Sequence, residues 1–338
     1  MRDTPRRPIR WAASAARFVL PAIIIAVLLW RIPSNDWASI RDQPKNYGFL
    51  TGALLTALLA VIGTMLRWRL LVRALDIPLG WIEAFRLGSI GFLLSFVSAG
   101  TVGGDVFKAA FLARRRPGKR TASAASVVVD RACGMYALLV LVGFGLMTAD
   151  STSAPVTEGP INLRSVQTTT ILLLVAGTTI LAALVLGGRG IDALVRRTMD
   201  VPVLGSIVGR VGPPMRVFHD SPGAIAGALL LSLGIQSLLV FSFYLIAVGL
   251  YSDPPTLFEH FIITPVVMLV GALPITPAGV GVLEVATEAM YRLFDRVGRE
   301  PIASGTLVAL VFELVKVVVA ATGAVFYWTS GREVRDAM

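Results

Sequence analysis

Residues 222–250 contain no Asp, Glu, Lys or Arg. A stretch that long and apolar belongs in hydrocarbon, where a chain satisfies its own backbone hydrogen bonds by forming a helix. Further apolar runs occupy about 48–66, 122–149 and 168–187, and another follows Ala303-Ser304. With 55% hydrophobic and 15% charged residues among 338, and a mean hydropathy of +0.74, the fold class is an all-α polytopic membrane protein. The expected architecture is a single integral membrane domain over 1–338, with about six full spans and two re-entrant helical hairpins arranged as inverted repeats.

Charge sets the orientation. Arg2, Arg6, Arg7 and Arg10 precede the apolar run Phe18–Trp30, and no small-residue cleavage site follows. The start therefore reads as an uncleaved anchor with a cytoplasmic amino terminus, in the cell membrane of a bacterium or archaeon. The basic clusters at Arg67–Arg73, Arg114–Arg120 and Arg189–Arg216 then fall on the same side. About twenty Lys and Arg lie on that side against about seven on the other, in the sense of the positive-inside rule. Arg292, Arg296 and Arg299 go against it, partly offset by Asp295 and Glu300. The net charge of +10 is thus a topology signal, and no nucleic-acid recognition module accompanies it.

Two stretches break the apolar pattern in the same way. Ser98-Ala-Gly-Thr-Val-Gly-Gly-Asp105 and Pro277-Ala-Gly-Val-Gly-Val-Leu-Glu284 each place a glycine-containing turn after an apolar run and end it with a carboxylate that opens a helix. Glu83-Ala-Phe85 opens the run into the first turn and Glu259-His-Phe261 the run into the second; Ala122-Ser123 and Ala303-Ser304 begin the long spans that follow. The expected repeat units are about 79–149 and 256–330, with re-entrant hairpins at 86–113 and 258–294. By the charge count the first hairpin enters from the cytoplasm and the second from outside.

Charged residues inside apolar helices are costly, so each invites a functional reading. The set is Asp105, Lys108, Asp130, Arg131, Glu284, Glu288, Glu313 and Lys316, all within the repeat units. Asp105 with Lys108, Glu284 with Glu288, and Glu313 with Lys316 each share a helix face by spacing. The plainer reading is that Asp105–Lys108 and Glu313–Lys316 neutralise themselves. Glu284 and Glu288 need a cation from elsewhere, and Arg131 is the candidate. Gly103, Gly104, Gly279 and Gly281 shape the turns, whose helix amino termini favour an anion such as a lipid phosphate. The expected binding set is Asp105, Lys108, Arg131, Glu284 and Glu288 with those glycines; Asp130, Glu313 and Lys316 are secondary.

Other chemistries find little support. Cys133 with His219 and His260 leaves too few soft ligands for a Cys/His metal site, and no metal or cofactor is expected. Cys133 reads as a packing residue, and His219-Asp220 as a solvated pair. There is no phosphate loop, no Gly-x-Ser-x-Gly and no His-Glu-x-x-His, so no catalytic residue is assigned.

On Gly103-Gly104-Asp105 with Lys108, Asp130-Arg131, and Pro274-Ile-Thr-Pro-Ala-Gly-Val-Gly-Val-Leu-Glu284, the chain resembles the membrane region of lysylphosphatidylglycerol synthase/flippase proteins and their stand-alone, flippase-like relatives. The resemblance covers about residues 45–330. It implies a lipid-handling protein that moves phospholipid between leaflets. The chain ends at Met338, so it is expected to lack the aminoacyl-transfer domain and not to make lysyl-lipid itself. Glu313-Leu-Val-Lys316 stands where the family often has an Arg.

The expected function is a lipid flippase or transporter binding a phosphate-bearing headgroup near the bilayer midplane. The alternatives are an intramembrane enzyme acting on a phospholipid or polyprenyl phosphate, and a membrane anchor for a glycosyltransferase. A membrane lipid is the expected partner, and a homo-oligomer or a partner enzyme is compatible with the sequence.

Overall fold

A computed structural model describes residues 45–96, 103–116, 118–148, 163–186, 218, 221–273, 281–294 and 303–329. The expected anchor at Phe18–Trp30, Gly279 with most of both turns, and His219-Asp220 lie outside the described residues.

Every described element is a helix: α1 (Tyr47–Ala74), α2 (Trp81–Leu94), α3 (Gly103–Arg115), α4 (Arg120–Thr148), α5 (Leu163–Leu186), α6 (Pro222–Leu250), α7 (Leu257–Gly271), α8 (Val282–Leu293) and α9 (Gly305–Thr329). Of these α1, α4, α5 and α6 are long and apolar enough to cross a membrane. Helix α9 has 25 residues, a rise of about 37 Å. The chain is thus an α-helical, multi-pass membrane protein. By contrast α2, α3, α7 and α8 have 14, 13, 15 and 12 residues. At about 1.5 Å per residue none of these four covers the roughly 30 Å hydrocarbon core.

The short helices form two antiparallel hairpins. In α2–α3, Arg115 meets Glu83 at 3.3 Å at the open end, and Gly91 faces Gly104 near the tip. In α7–α8, His260 Nε2 lies 2.9 Å from the Tyr291 hydroxyl at the open end, and Gly271 faces Leu283 near the tip. The hairpins point opposite ways because the helices that lead into them are antiparallel. Asn46 N, at the start of α1, donates to Gly249 O at the end of α6, and Leu70 near the end of α1 packs on Gly227 near the start of α6. The open end of α2–α3 shares its end of the bundle with Arg73, Arg116 and Lys119, while Lys45 and Arg292 lie at the other.

The helix pairing has the form of an internal two-fold. The first helix of each hairpin packs against the long helix that follows the other hairpin, α2 on α9 and α7 on α4. Helices α1 and α6 form the most extensive contact and each touches the hairpin it leads into. One buried apolar cluster joins Trp68, Leu71, Leu87, Phe111 and Val129; another joins Val142, Phe243, Ile262, Leu283 and Phe312. Cys133 packs inside the first.

Local sequence explains the helix starts. Asn46 caps α1 by accepting from Gly48 N at 3.0 Å, and Thr256 with Glu259 forms a reciprocal capping box on α7. Gly281 has φ of +88°, a conformation that disfavours a side chain, and Glu284 reaches back to Gly281 N at 2.5 Å. Two expected boundaries shift. The span expected to end near residue 66 continues to Ala74, and the hairpin expected to begin at residue 86 begins at Trp81. Arg67, Arg69 and Arg73 are good helix formers and continue the turn past the point where hydropathy falls.

Candidate functional site

Asp105 and Glu284 occupy the same place in their hairpins, the third residue of α3 and of α8. Their surroundings differ. Glu284 closes its own helix start through Gly281 N. Asp105 turns to cations: its Oδ1 lies 2.8 Å from Lys108 Nζ, and its Oδ2 accepts from Arg131 Nε of α4. The i,i+3 pair foreseen in the sequence therefore forms, with a second cation added from another helix.

One helical turn of α1 completes the arrangement. Arg67 is buried, and its Nε donates to Asp130 Oδ1 at 2.7 Å while its Nη1 donates to Ser232 Oγ of α6 at 2.8 Å. Gln236 Nε2 of α6 donates to Gly134 O at 3.3 Å beside it. Trp68, the next residue, sets its ring 5.4 Å below Lys108 Nζ and donates from Nε1 to Ser126 Oγ. Asp130 and Arg131 thus point to different partners, one to α1 and the other to α3.

Arg67, Trp68, Asp105, Lys108, Asp130, Arg131 and Gln236 line a cavity of about 300 Å³ between the two hairpins. Gly91, Ser95, Asp105 and Lys108 come from the first hairpin, and Met268, Gly271, Ala272 and Leu283 from the second. Arg67, Asp130, Arg131, Gln236 and Lys316 close it from α1, α4, α6 and α9. Four cations, Arg67, Lys108, Arg131 and Lys316, thus face two carboxylates, Asp105 and Asp130. By helix rise Asp130 lies about 15 Å from the start of α4 and Lys316 about 17 Å from the start of α9, well inside both helices. Apolar side chains, Met65, Phe92, Leu138 and Leu239 among them, fill the remaining wall.

Glycine makes the tip of the first hairpin. A Cβ on Gly104 would sit 1.9 Å from Gly91 O, so the two backbones touch and Asp105 is held at the cavity wall. Gly103 begins the same helix. Gly281 plays the corresponding part at the start of α8 by its positive φ.

The structure separates the other expected residues from this group. Glu288 accepts from Thr306 N at 3.1 Å, from Thr306 Oγ1 at 3.3 Å and from Arg292 at 3.1 Å, fastening α8 to the start of α9. Arg131, the cation expected to serve Glu284 and Glu288, pairs with Asp105, because α4 passes the first hairpin at that level. Glu313 is fully buried, 3.5 Å from Lys316, and stands behind that lysine rather than on the wall. Three contributors escaped the sequence reading. Arg67 was grouped with the basic cluster Arg67–Arg73, and Ser232 and Gln236 carry no charge. The signal that could have found Arg67 is its position directly before Trp68, at the end of the apolar run. Among the described residues no group of His, Cys, Asp and Glu is arranged to hold a metal ion.

The family model described as the lysylphosphatidylglycerol synthase TM region matches residues 18–323. The chain belongs to that family. The match spans both hairpins, both helices that lead into them and every residue of the cavity wall. No curated protein and no solved structure matches the chain.

Proposed function

We propose that the protein binds the phosphate-bearing headgroup of a membrane lipid in the central cavity and moves that lipid between leaflets. The observation that carries this reading is the cavity itself: cations from α1, α3, α4 and α9 converge well inside an apolar bundle, where charge is costly even when paired and so marks a site with a function. Membership of a family named for a lipid-synthase membrane region supports a phospholipid as the partner.

The inverted hairpins supply a route. Tips from opposite ends meet at one site, and rocking of one half against the other would open the cavity to each side in turn. In this reading the arginine-rich end faces the cytoplasm, in a bacterial or archaeal cell membrane, and the amino terminus lies on the same side. The chain acts as a carrier and not as an enzyme, and Arg131 is the headgroup's principal contact.

The test is the rate at which headgroup-labelled phospholipid changes leaflet in vesicles holding the purified protein. Arg131→Ala is expected to slow protein-dependent exchange by about tenfold or more, the worth of a charge-assisted hydrogen bond. Exchange as fast as the parent's would remove the site from the account. Conversion of the lipid to a new species, followed by mass spectrometry in the same vesicles, would instead mark an enzyme.

A further inference from the structure

Asp105 sits where a bound anion would. Its two carboxylate oxygens take Lys108 Nζ on one side and Arg131 Nε on the other, as the two non-bridging oxygens of a phosphodiester would. Its position-equivalent, Glu284, accepts from the backbone of its own helix start at Gly281 N. Arg67 and Asp130 have already satisfied each other, with Ser232 completing the pair.

The charge balance points the same way. The cavity wall carries Arg67, Lys108, Arg131 and Lys316 against Asp105 and Asp130, and Glu313 stands 3.5 Å behind Lys316. Among the described residues these four positive and three negative groups leave one positive charge, 4 − 3 = +1. A headgroup carrying a single negative charge cancels it. A zwitterionic headgroup leaves it as it is, and a lysylated one, with a net positive charge, adds to it.

We infer that Asp105 is a built-in stand-in for the lipid phosphate, holding Lys108 and Arg131 in place until a monoanionic phosphodiester headgroup displaces it, and that the site therefore selects anionic over lysylated lipid. This rests on the cavity being the headgroup site, and it adds the class of headgroup and the way Lys108 and Arg131 are held while the site is empty. Displacement breaks the Asp105 contacts and makes equivalent ones to phosphate. The cost of uncovering the Asp105 carboxylate holds affinity down, which lets a carrier release its cargo. An anion competing with a resident carboxylate gains when that carboxylate is neutralised. A cation that uses the carboxylate as its ligand loses.

The experiment measures lipid retained on the purified protein after exchange against vesicles of equal parts phosphatidylglycerol, phosphatidylethanolamine and lysylphosphatidylglycerol. The parent is expected to keep phosphatidylglycerol over the lysylated lipid, and Asp105→Asn to raise retained phosphatidylglycerol by about tenfold. Enrichment of the lysylated lipid by the parent and its loss in Asp105→Asn overturns the inference, and so does a fall in phosphatidylglycerol. If Asp105→Asn unfolds in detergent, thermal unfolding read with each lipid added decides. Rescue by phosphatidylglycerol and not by the lysylated lipid supports the stand-in role, whereas no rescue by any of the three contradicts it. Because retention needs no movement, failure of the leaflet assay with this selectivity intact counts against transport alone. Lost selectivity with intact movement counts against the stand-in alone.

Discussion

Arg67 shows how a single residue changes character with its surroundings. Beside Arg69 and Arg73 in the sequence it reads as part of a surface cluster, yet it is buried and bonded to Asp130 and Ser232. The difference is one of helix phase: Arg69 turns outward to stack on Trp81, its guanidinium carbon 3.7 Å from the ring centre, while Arg67 faces α4 and α6. Removing one partner of such a pair leaves the other charge buried alone, at about 3–5 kcal/mol. Arg67→Ala is therefore expected to destabilise the protein by that order in denaturant unfolding, and Asp130→Asn to cost far less in the Arg67→Ala background than alone. Equal costs in both backgrounds would mean that the two side chains do not act as a pair. Asp105, Lys108, Asp130, Arg131 and Lys316 were all legible as candidates, because charge is conspicuous against an apolar background. What a charge touches was not legible: Glu288 shares a face with Glu284 and with Arg292, and only the approach of α9 determines that its second partner is Thr306.

At the scale of the helix, length and capping carried most of the information. The runs before and after each turn are too short to cross a bilayer, so hairpins followed from the sequence; one boundary moved where arginines prolonged α1 beyond its apolar stretch, and another where α2 began earlier, at Trp81. Closeness was the hidden quantity. The turn glycines suggest permissive backbone, but the contact of Gly104 with Gly91 O is a matter of packing between two helices and has no signature within either. Gly104→Ala would force a methyl group into the carbonyl of α2 and part the hairpin tip. It is expected to lower thermal stability markedly and to reduce lipid binding, while Gly80→Ala, with nothing within 4 Å of the added carbon, is expected to leave both unchanged. Similar unfolding temperatures for the two variants would show that the tip is looser than the α2–α3 contact requires.

For the molecule as a whole, the exchange of partners between halves, α2 on α9 and α7 on α4, means that neither hairpin is anchored only within its own half of the chain. The matching turns in the sequence hinted at this, while the part taken by α1 and α6 did not emerge, since both are apolar spans of ordinary composition. Yet these two form the seam about which the halves are related. Their antiparallel contact turns two similar hairpins into two opposed ones, and so brings Lys108 and Arg131 of one half to the same cavity as Lys316 of the other. The central claim is that this is one site, built by both halves, through which a lipid headgroup passes. Leaflet exchange of headgroup-labelled phospholipid by Lys316→Ala tests it most directly, with Glu288→Gln as the companion that keeps an acceptor for Thr306 away from the cavity. Exchange slowed by about tenfold in Lys316→Ala and retained in Glu288→Gln is the expected result; parent-like exchange in Lys316→Ala would contradict a site shared between the two halves.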